Sequence, residues 1–340
     1  MTIRIGLVGL GMMGAAHLKA WQTIEGAQVV AVCDVRPERL EGDLSQTLGN
    51  IDTGAAGRKD FSGIEKHKGL AGLLRSDIDA VDLCVPTFLH ARMAVQCLKA
   101  GRHVFCEKPM ALNVRQAIKM IQASEQARRT LMIGHCLRFW PEYVMMKEMI
   151  DSGRYGPVRS AAFRRFAALP TWADWFLDAK RSGGAALDLH VHDTDTVQWF
   201  FGMPNRVCSQ GVPGPGGGFD HIATLYQYDR VPVVLAEGGW HLPAGYPFWM
   251  GAAIEFESAA VVYNSRHTPT LTVYEPDGKA VNPPIAKVSA YAEQLRYFAE
   301  CISSASPPRR AMAEDAARTV ALVEAEMRSA RTHRPVPVKF

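Results

Sequence analysis

The chain has 340 residues, of which 48% are hydrophobic and 21% are charged, and its formal net charge is +4. This length suits two domains, and the composition is that of an ordinary globular protein. The small, evenly spread charge argues against a nucleic-acid partner, and no apolar run reaches the roughly 18 residues of a membrane span. The seven cysteines are scattered and form no C-x-x-C pair. We therefore expect reduced thiols and a cytoplasmic location.

Apolar runs and helical segments alternate over the first 134 residues. We predict strands at 3–8, 28–33, 80–85, 102–106 and 131–134. We predict helices at 15–25, 37–48, 88–100 and 113–128, and a loop with one short strand over 49–69. Near-continuous apolar strands joined by helices indicate a parallel sheet that is covered on both faces. Residues 1–134 are thus predicted to form a doubly wound α/β domain of the Rossmann type.

The second half of the chain has a different pattern. We predict four helices there, at 141–152, 184–201, 288–304 and 312–330. Several short strands over 206–275 are separated by Gly, Pro, Asp and Asn residues, and the alternation in 222–228 predicts a mostly antiparallel sheet. We therefore predict an α+β domain with a large open sheet over residues 135–340.

A glycine-rich turn follows the first predicted strand and opens a helix: Gly9-Leu10-Gly11-Met12-Met13-Gly14. Glycines at these positions allow a tight turn, close approach of a pyrophosphate and packing of the helix on the strand. Asp34, twenty positions after Gly14, ends the second strand. In this context the motif predicts a dinucleotide site to which Gly9, Gly11, Met12, Met13 and Gly14 contribute.

Asp34 also bears on the choice of dinucleotide. A carboxylate at this position would accept hydrogen bonds from the adenosine ribose and repel a 2′-phosphate, which favours NAD over NADP. Arg36 lies two residues further on and could bind a phosphate group. NAD is therefore the expected cofactor, and NADP stays possible.

Two further segments end predicted strands of the parallel sheet. The strand at 102–106 ends in Glu107-Lys108-Pro109. Ligands of open α/β sheets bind at the carboxyl ends of the strands, so we place Glu107 and Lys108 at the nicotinamide end of the site. The proline fixes φ, and the bond that precedes it is a candidate for the cis form.

The strand at 80–85 is followed by residues that reach the same edge of the sheet. Pro86 and Thr87 come first, and His90 lies in the first turn of the helix at 88–100. We expect these three residues to contribute to cofactor binding. For Thr87, capping of the helix is an equally good interpretation, and the two roles are compatible.

The segment GGAALDLHVHDTD, residues 183–195, carries a second group of polar side chains. On a continuous helix one stripe would contain Asp188, His192, Asp195 and Trp199. A carboxylate and an imidazole one turn apart suit proton transfer. A solvated helix face and a metal site are alternatives, but His190 falls on the opposite face from His192, which disfavours a shared ion. We therefore predict no metal.

Three more residues are candidates for substrate contact. Arg138 lies where the first domain passes into the second, and it could face a ligand or form an interdomain pair. Trp172 and Trp175 could stack on a sugar ring or lie in the core, and large aromatic side chains lie in the core more often.

Three motifs together carry a resemblance to a known family. GLGMMG after the first strand, CEKPM after the fifth and GG-x-x-x-D-x-x-x-H at 183–192 come in the order and spacing of the glucose–fructose oxidoreductase, inositol dehydrogenase and MocA-like oxidoreductases. The resemblance covers nearly the whole chain. It implies hydride transfer between a nicotinamide cofactor and a sugar, inositol or related polyol. It also implies a homodimer or homotetramer that forms through the open sheet.

Site residues carry over from the family by motif. Lys108 is the lysine of E-K-P, near the nicotinamide and the reacting hydroxyl, and Asp188 and His192 are its partners. His192 matches the inositol-dehydrogenase-like subset, in which a histidine is the acid/base. Two other functions stay open: an NAD-dependent glycosidase that oxidises its substrate only transiently, and a non-catalytic sensor of a nucleotide or sugar.

Overall fold

In the computed structural model, which describes residues 2–51 and 53–340, the chain forms two compact units. The first comprises Met1–Cys136 and Val288–Ala317, and the second comprises Leu137–Lys287 and Arg318–Phe340. This division differs from the predicted boundary, because residues 288–317 belong with the first unit. The reason lies in packing: Phe298 makes an edge-to-face contact with Phe105, with ring centroids 5.7 Å apart.

The first unit contains a parallel sheet. Its described strands are β1 Ile3–Val8, β2 Ala27–Cys33, β3 Glu65–His67, β4 Ala80–Leu83, β5 His103–Glu107 and β6 Leu131–Gly134, in the order β3-β2-β1-β4-β5-β6. Its helices are α1 Met12–Trp21, α2 Pro37–Leu40, α3 Leu70–Leu73, α4 Thr87–Lys99, α5 Val114–Ala127 and α10 Ala290–Ser303. The predicted α/β fold of this region is confirmed. The strand order reverses between β1 and β4, so a ligand crevice is expected at the carboxyl ends of these two strands.

One predicted helix of the first unit is much shorter than its pattern suggests. The prediction extended from 37 to 48, whereas α2 ends at Leu40. Gly42 has a φ of +82°, and a Cβ at this position would overlap with the carbonyl oxygen of Lys59. A close approach from a distant part of the chain therefore ends the helix. Within the predicted loop 49–69, Asp52 lies outside the described residues, and β3 is the expected short strand.

The second unit is built on a nine-stranded sheet of the order β14-β13-β12-β11-β7-β10-β9-β8-β15. The strands are β7 Val158–Ala168, β8 Arg206–Pro213, β9 Phe219–Gln227, β10 Val233–Leu242, β11 Trp249–Phe256, β12 Ala260–Asn264, β13 Leu271–Tyr274, β14 Ala280–Val281 and β15 Val336–Pro337. The pair β7–β10 is parallel and the other neighbouring pairs are antiparallel, which confirms the predicted, mostly antiparallel sheet.

Helices cover one face of this sheet. They are α6 Pro141–Ser152, α7 Ala179–Ser182, α8 Gly184–Asp188, α9 Val191–Phe201 and α11 Ala313–Thr332, whose first residues belong to the first unit. Tyr143 of α6, Phe200 of α9 and Leu322 of α11 share one core with Phe163 and Ile254 of the sheet. Among the helices of residues 2–51 and 53–340, none combines the length and apolar character that a membrane crossing requires.

Candidate active site

The glycine turn after β1 has the shape that a pyrophosphate needs. Gly9 has a φ of +88°, and a Cβ there would overlap with the carbonyl oxygen of Cys84. A Cβ at Gly14 would overlap with the carbonyl oxygen of Gly9. At Gly11, by contrast, the nearest described atom outside the turn is Arg39 Nη1, at 3.8 Å from a Cβ position. Gly11 is also the N-cap of α1, so the open space adjoins the N–H groups of a helix N-terminus.

Asp34 lies at the end of β2, beside this turn. Its Oδ2 accepts a hydrogen bond from the Leu10 N–H at 2.7 Å, and its Oδ1 accepts one from the Arg36 N–H at 2.9 Å. Arg39 Nη1 lies 3.4 Å from Oδ2, a partner that the sequence did not reveal. The Arg36 side chain is exposed. Because a carboxylate offers about four acceptor positions, Asp34 retains capacity for a ribose hydroxyl.

Lys108 follows β5 at the same edge of the sheet. The Lys108–Pro109 peptide is cis, which confirms that prediction. The Lys108 N–H donates a hydrogen bond to Glu107 Oε2 at 3.1 Å. Glu107 is almost fully buried, with only 6% of it exposed. Glu107 therefore shapes the turn that presents Lys108.

His90 and Thr87 lie next to this turn. His90 Nδ1 is 2.8 Å from the carbonyl oxygen of Pro109, and Nε2 is 2.7 Å from that of Val85. His90 is buried, so its ring supports the segments after β4 and β5 from within. The capping interpretation of Thr87 is wrong, because Pro86 is the N-cap of α4 and Thr87 is its first helical residue.

A buried polar cluster underlies the glycine turn and the Glu107-Lys108 turn. We call it the His17 cluster, and it comprises His17, Trp21, Asp82, Cys84 and Glu107. This cluster could not be predicted from the sequence, because its members come from α1, β4, the residue that follows β4, and β5. The one local signal was a histidine three residues after Gly14, on a helix whose other residues near it are apolar.

In the second unit, two glycines precede the Asp188–His192 segment. Gly183 and Gly184 have φ angles of +85° and +74°, which explains the paired glycines of the motif. The predicted continuous helix over 184–201 is interrupted after Asp188. His190 N–H donates to the carbonyl oxygen of Ala185 at 2.8 Å, a bond over five residues that widens the helix locally.

This interruption overturns the prediction of one continuous polar stripe. Asp188 is the last residue of α8, and His192 is the second residue of α9. Asp188 is 9% exposed and His192 is half-buried. Asp195 is buried and binds Arg138, whereas Trp199 lies near the Arg138 guanidinium, 6.0 Å from ring centroid to Cζ. The four residues therefore divide into a candidate catalytic pair, Asp188 and His192, and a pair beside Arg138, the buried Asp195 and the half-buried Trp199.

Three consecutive residues of α9 anchor the helix that carries His192. Asp193 Oδ2 pairs with Arg165 Nε of β7 at 2.8 Å. The Thr194 hydroxyl donates to Glu326 of α11 at 3.2 Å. Asp195 pairs with Arg138 at 2.9 Å. Because buried ion pairs and hydrogen bonds tolerate little displacement, these contacts hold α9 in a defined position.

Arg138 is one of the residues that bind α9 within the second unit. The sequence left open a ligand contact or an interdomain pair. The structure pairs Arg138 with Asp195, and both residues belong to the second unit, while the ligand and interdomain alternatives stay predictions. The guanidinium also donates to Gln198 Oε1 at 3.1 Å, and the side chain is 2% exposed. This geometry supports a role in positioning α9.

Trp172 and Trp175 lie in an aromatic patch at the surface of the second unit. Trp175 stacks on Phe176 with centroids 3.9 Å apart, and Trp172 meets the same ring edge-on at 5.5 Å. Both tryptophans are half-buried. Their partial exposure differs from a core position and leaves ring surface that a sugar could contact.

Comparisons with known proteins identify the family and the fold of this chain. The model of an oxidoreductase family with an NAD-binding Rossmann fold matches residues 3–135, and the GFO/IDH/MocA C-terminal domain matches residues 143–267. An inositol 2-dehydrogenase of Rhizobium meliloti is 25% identical over 99% of this chain and 100% of its own. A D-apiose dehydrogenase of Paraburkholderia graminis is 25% identical over 98% of this chain and 89% of its own.

A solved structure of a levoglucosan dehydrogenase in complex with NADH superposes with a TM-score of 0.86. It covers 100% of both chains at 19% identity. At this identity the superposition shows a common fold.

Proposed function

The chain belongs to the GFO/IDH/MocA oxidoreductase family, and from this premise we propose that it transfers hydride between NAD and a secondary alcohol of a sugar, inositol or related polyol. The observation that carries the proposal is the position of Lys108. It leaves β5 at the same sheet edge as the open turn at Gly11, which is the edge where nicotinamide cofactors bind in this fold.

The residues of the first unit fit an NAD molecule. The space beside Gly11 and the N-terminus of α1 suits the pyrophosphate, with Gly9, Met12, Met13 and Gly14 forming the turn around it. Asp34 would accept hydrogen bonds from the adenosine ribose. Pro86, Thr87 and Lys108 adjoin the nicotinamide end, and Glu107 and His90 support them. When bound, the nicotinamide supplies the hydride chemistry of the reaction.

The chain's own residues supply position, charge and proton transfer. In the oxidative direction His192 takes the hydroxyl proton, and in the reductive direction it returns the proton. Lys108 donates a hydrogen bond to the hydroxyl oxygen and stabilises the negative charge that develops there. Asp188 orients the substrate through hydrogen bonds to a neighbouring hydroxyl. The anchored helix α9 keeps His192 in place during these steps.

The proposed substrate class rests on the relatives and on the aromatic patch. The relatives named above are dehydrogenases of inositol and D-apiose, both of which carry several hydroxyl groups. Trp172 and Trp175 offer half-buried rings of the kind that stack on the apolar face of a sugar. We therefore include both tryptophans in the proposed substrate site and assign Arg138 to the support of α9.

We further propose that the open face of the nine-stranded sheet joins copies of this chain. A row of apolar and small side chains crosses seven neighbouring strands of this face: Cys208, Leu225, Leu235, Ala162, Ala253, Val262 and Thr272. Leu225 and Val262 are 41% and 39% exposed. An exposed apolar row of this kind suits a second copy of the same sheet, and hence a homodimer or homotetramer.

The cysteines support a cytoplasmic location as part of the same proposal. No disulfide joins the seven cysteines, all of which lie among the described residues. Burial raises the pKa of Cys97 to about 12, and burial likewise raises that of Cys33 to about 11. These thiols therefore stay protonated and unreactive at neutral pH, as is usual for cysteines of a reducing compartment.

The experiment tests a panel of alcohols with NAD⁺ and with NADP⁺. The absorbance of the reduced cofactor reports turnover. The panel contains inositols, pyranoses, D-apiose, levoglucosan and open-chain polyols. Accumulation of NADH with at least one of them supports the proposal. Cleavage of a glycoside without net NADH would instead identify a glycosidase with transient oxidation, and binding without any turnover would identify a sensor.

A further inference from the structure

The His17 cluster connects the helix of the glycine turn to the turn that carries Lys108. The His17 ring, on α1, is fully buried. Its Nδ1 lies 3.0 Å from Asp82 Oδ2 on β4, and its Nε2 lies 3.2 Å from Glu107 Oε1 on β5. One imidazole thus stands between two buried carboxylates, with one carboxylate at each ring nitrogen.

The charges of this arrangement determine which form of His17 fits it. A neutral imidazole has one N–H, so its second nitrogen would turn a lone pair towards a carboxylate oxygen. An imidazolium carries an N–H at both nitrogens: the Nδ1–H is hydrogen-bonded to Asp82, whereas Nε2 lies at ion-pair distance from Glu107 Oε1 without a hydrogen bond. Its positive charge compensates negative charge that burial would otherwise make costly. Burial alone would lower the pKa of His17, but the facing Asp82 carboxylate more than reverses this effect and holds the pKa well above its usual value.

Among the residues that the structure describes, a thiol and two aromatic rings also adjoin the pair of His17 and Asp82, and none of them carries a positive charge. Cys84 Sγ lies 3.2 Å from Nδ1, and burial raises the pKa of this thiol so that it stays neutral. The Phe105 ring meets the imidazole edge-on, with centroids 5.5 Å apart. Trp21 donates its Nε1–H to Asp82 Oδ2 at 2.8 Å. We therefore expect His17 to carry the positive charge that compensates the two carboxylates.

The Glu107 carboxylate contacts both His17 and the backbone of Lys108. Its Oε1 faces His17, while its Oε2 accepts the hydrogen bond from the Lys108 backbone N–H. A Cβ at Gly134, on the neighbouring strand β6, would lie 2.7 Å from Glu107 Oε1. The glycine therefore leaves the space that the Glu107 carboxylate occupies.

We propose that His17 is a positioning residue: a buried imidazolium that holds Glu107 and, through it, sets the backbone of Lys108 for the reaction. The proposal rests on the proposed dehydrogenase function, in which Lys108 contacts the reacting hydroxyl. It adds to that function a residue which touches neither substrate nor cofactor.

A metal ion is the alternative use of the same atoms. His17 Nδ1, an Asp82 oxygen and Cys84 Sγ all lie within 4.8 Å of one another. Zinc would require a deprotonated Nδ1 and a thiolate at Cys84, whereas the hydrogen bonds described here require an N–H at Nδ1. The two alternatives therefore predict opposite protonation states for one nitrogen atom.

The first test reads that protonation state and does not depend on catalysis. Full-length protein with ¹⁵N-labelled histidine is titrated by NMR, and the His17 signals are identified by their absence in His17→Gln. We expect both His17 nitrogens to stay protonated at about pH 8, where exposed histidines have lost their charge. A neutral ring at this pH, or zinc bound at one equivalent in the purified protein, would overturn the proposal.

The second test separates positioning from folding. His17→Gln keeps a hydrogen-bonding side chain but loses the charge, and Gly134→Ala retains the histidine while it crowds Glu107 Oε1 and, less closely, the Phe105 ring. We expect kcat to fall about tenfold to a hundredfold in both variants, with the dissociation constant of NADH within about threefold of wild type. The double variant His17→Gln/Asp82→Asn removes one negative charge together with the positive one and should regain stability that His17→Gln loses.

The control is His267→Gln, the same substitution at an exposed histidine, which should change neither parameter. Equal losses in kcat and NADH affinity, or an unchanged kcat in Gly134→Ala, would show that the cluster does not position Lys108. If the wild-type protein reduced no NAD⁺ with any alcohol, the proposed function would fail, while the NMR titration would still decide the charge of His17.

Discussion

Arg138 and Asp195 form a two-point ion pair inside the second unit, with Nε 2.9 Å from Oδ2 and Nη2 2.9 Å from Oδ1. Both side chains are buried, and the Thr319 hydroxyl adds a hydrogen bond to Asp195 Oδ1 at 2.9 Å. Asp195 lies three residues after His192 on α9. The pair therefore fixes α9 at a point about one helical turn from His192, the proposed acid/base.

Removal of the arginine should destabilise the fold. Arg138→Met leaves the buried Asp195 without its guanidinium partner, and we expect the free energy of unfolding to fall by about 3–5 kcal/mol. Urea denaturation measures this loss. The double variant Arg138→Met/Asp195→Leu should recover much of it, because no uncompensated charge remains. If Arg138→Met instead raised KM at unchanged stability, Arg138 would be a substrate ligand.

Gly11→Ala tests the cofactor site, and Gly69→Ala is its matched control. Gly11→Ala places a methyl group in the open space beside the N-terminus of α1, whereas Gly69 adjoins open space elsewhere in the described first unit, with no other described group within 4 Å of its Cβ position. We expect Gly11→Ala to weaken NADH binding about tenfold or more at unchanged thermal stability. Gly69→Ala should change neither quantity. Equal NADH affinity in the two variants, measured by calorimetry, would place the pyrophosphate elsewhere.

Asp34 should control the choice between NAD and NADP. Its carboxylate would repel a 2′-phosphate, while Arg36 and Arg39 follow it closely and could bind one. We expect Asp34→Ser to raise the ratio of kcat/KM for NADP to that for NAD by on the order of tenfold. Glu38→Ser, at an exposed acidic position of α2, is the control. A ratio that Asp34→Ser leaves unchanged would remove Asp34 from the ribose site.

His103 should make the fold sensitive to acid. Burial, helped by nearby Arg129, lowers the pKa of His103 to about 4, and its Nδ1 accepts the Thr130 N–H at 3.0 Å. Above about pH 6.5 the ring is neutral in both the folded and the unfolded protein, so protonation of His103 does not lower the free energy of unfolding there. As the pH falls from about 6.5 to about 4, the unfolded chain gains a proton that the folded chain does not, and stability is lost.

The loss at His103 should be on the order of 2 kcal/mol, since the ring is partly open to solvent. Urea denaturation at about pH 7 and about pH 4.5 measures it. In His103→Asn, which keeps an acceptor for Thr130 but cannot titrate, the decrease between the two pH values should be smaller. An equal decrease in both proteins would assign the acid sensitivity to other groups.

Most strands and helices of the first unit could be predicted from the local sequence pattern. The apolar runs of β1, β5 and β6 and the glycine turn could be predicted, because a buried parallel strand and a helix N-terminus leave periodic, short-range signals. The helix at 37–48 could not be predicted correctly, since the approach of Lys59 to Gly42 ends it. A contact between residues that are distant in sequence leaves no trace in either local pattern.

Two predictions failed for the same physical reason: no strand was predicted at β7, and one continuous helix was predicted over 184–201. Arg164 and Arg165 stand side by side in β7, and adjacent arginines do not suggest a buried strand. Arg165 is buried because Asp193, 28 residues away, compensates its charge. The polar residues of α9 likewise suggested one functional stripe. Asp193 and Asp195 instead form buried ion pairs, while Asp188 and His192 remain the proposed catalytic pair.

The central proposal is that Lys108 and His192 assist hydride transfer. Its most direct test is kcat, on the best substrate of the alcohol panel, for wild type, Lys108→Met, His192→Ala and the exposed control His267→Ala. We predict that kcat falls about 10²- to 10⁴-fold in the first two variants, while the dissociation constant of NADH stays within a few-fold and the control matches wild type. A kcat within a few-fold of wild type in either Lys108→Met or His192→Ala would contradict the proposed mechanism.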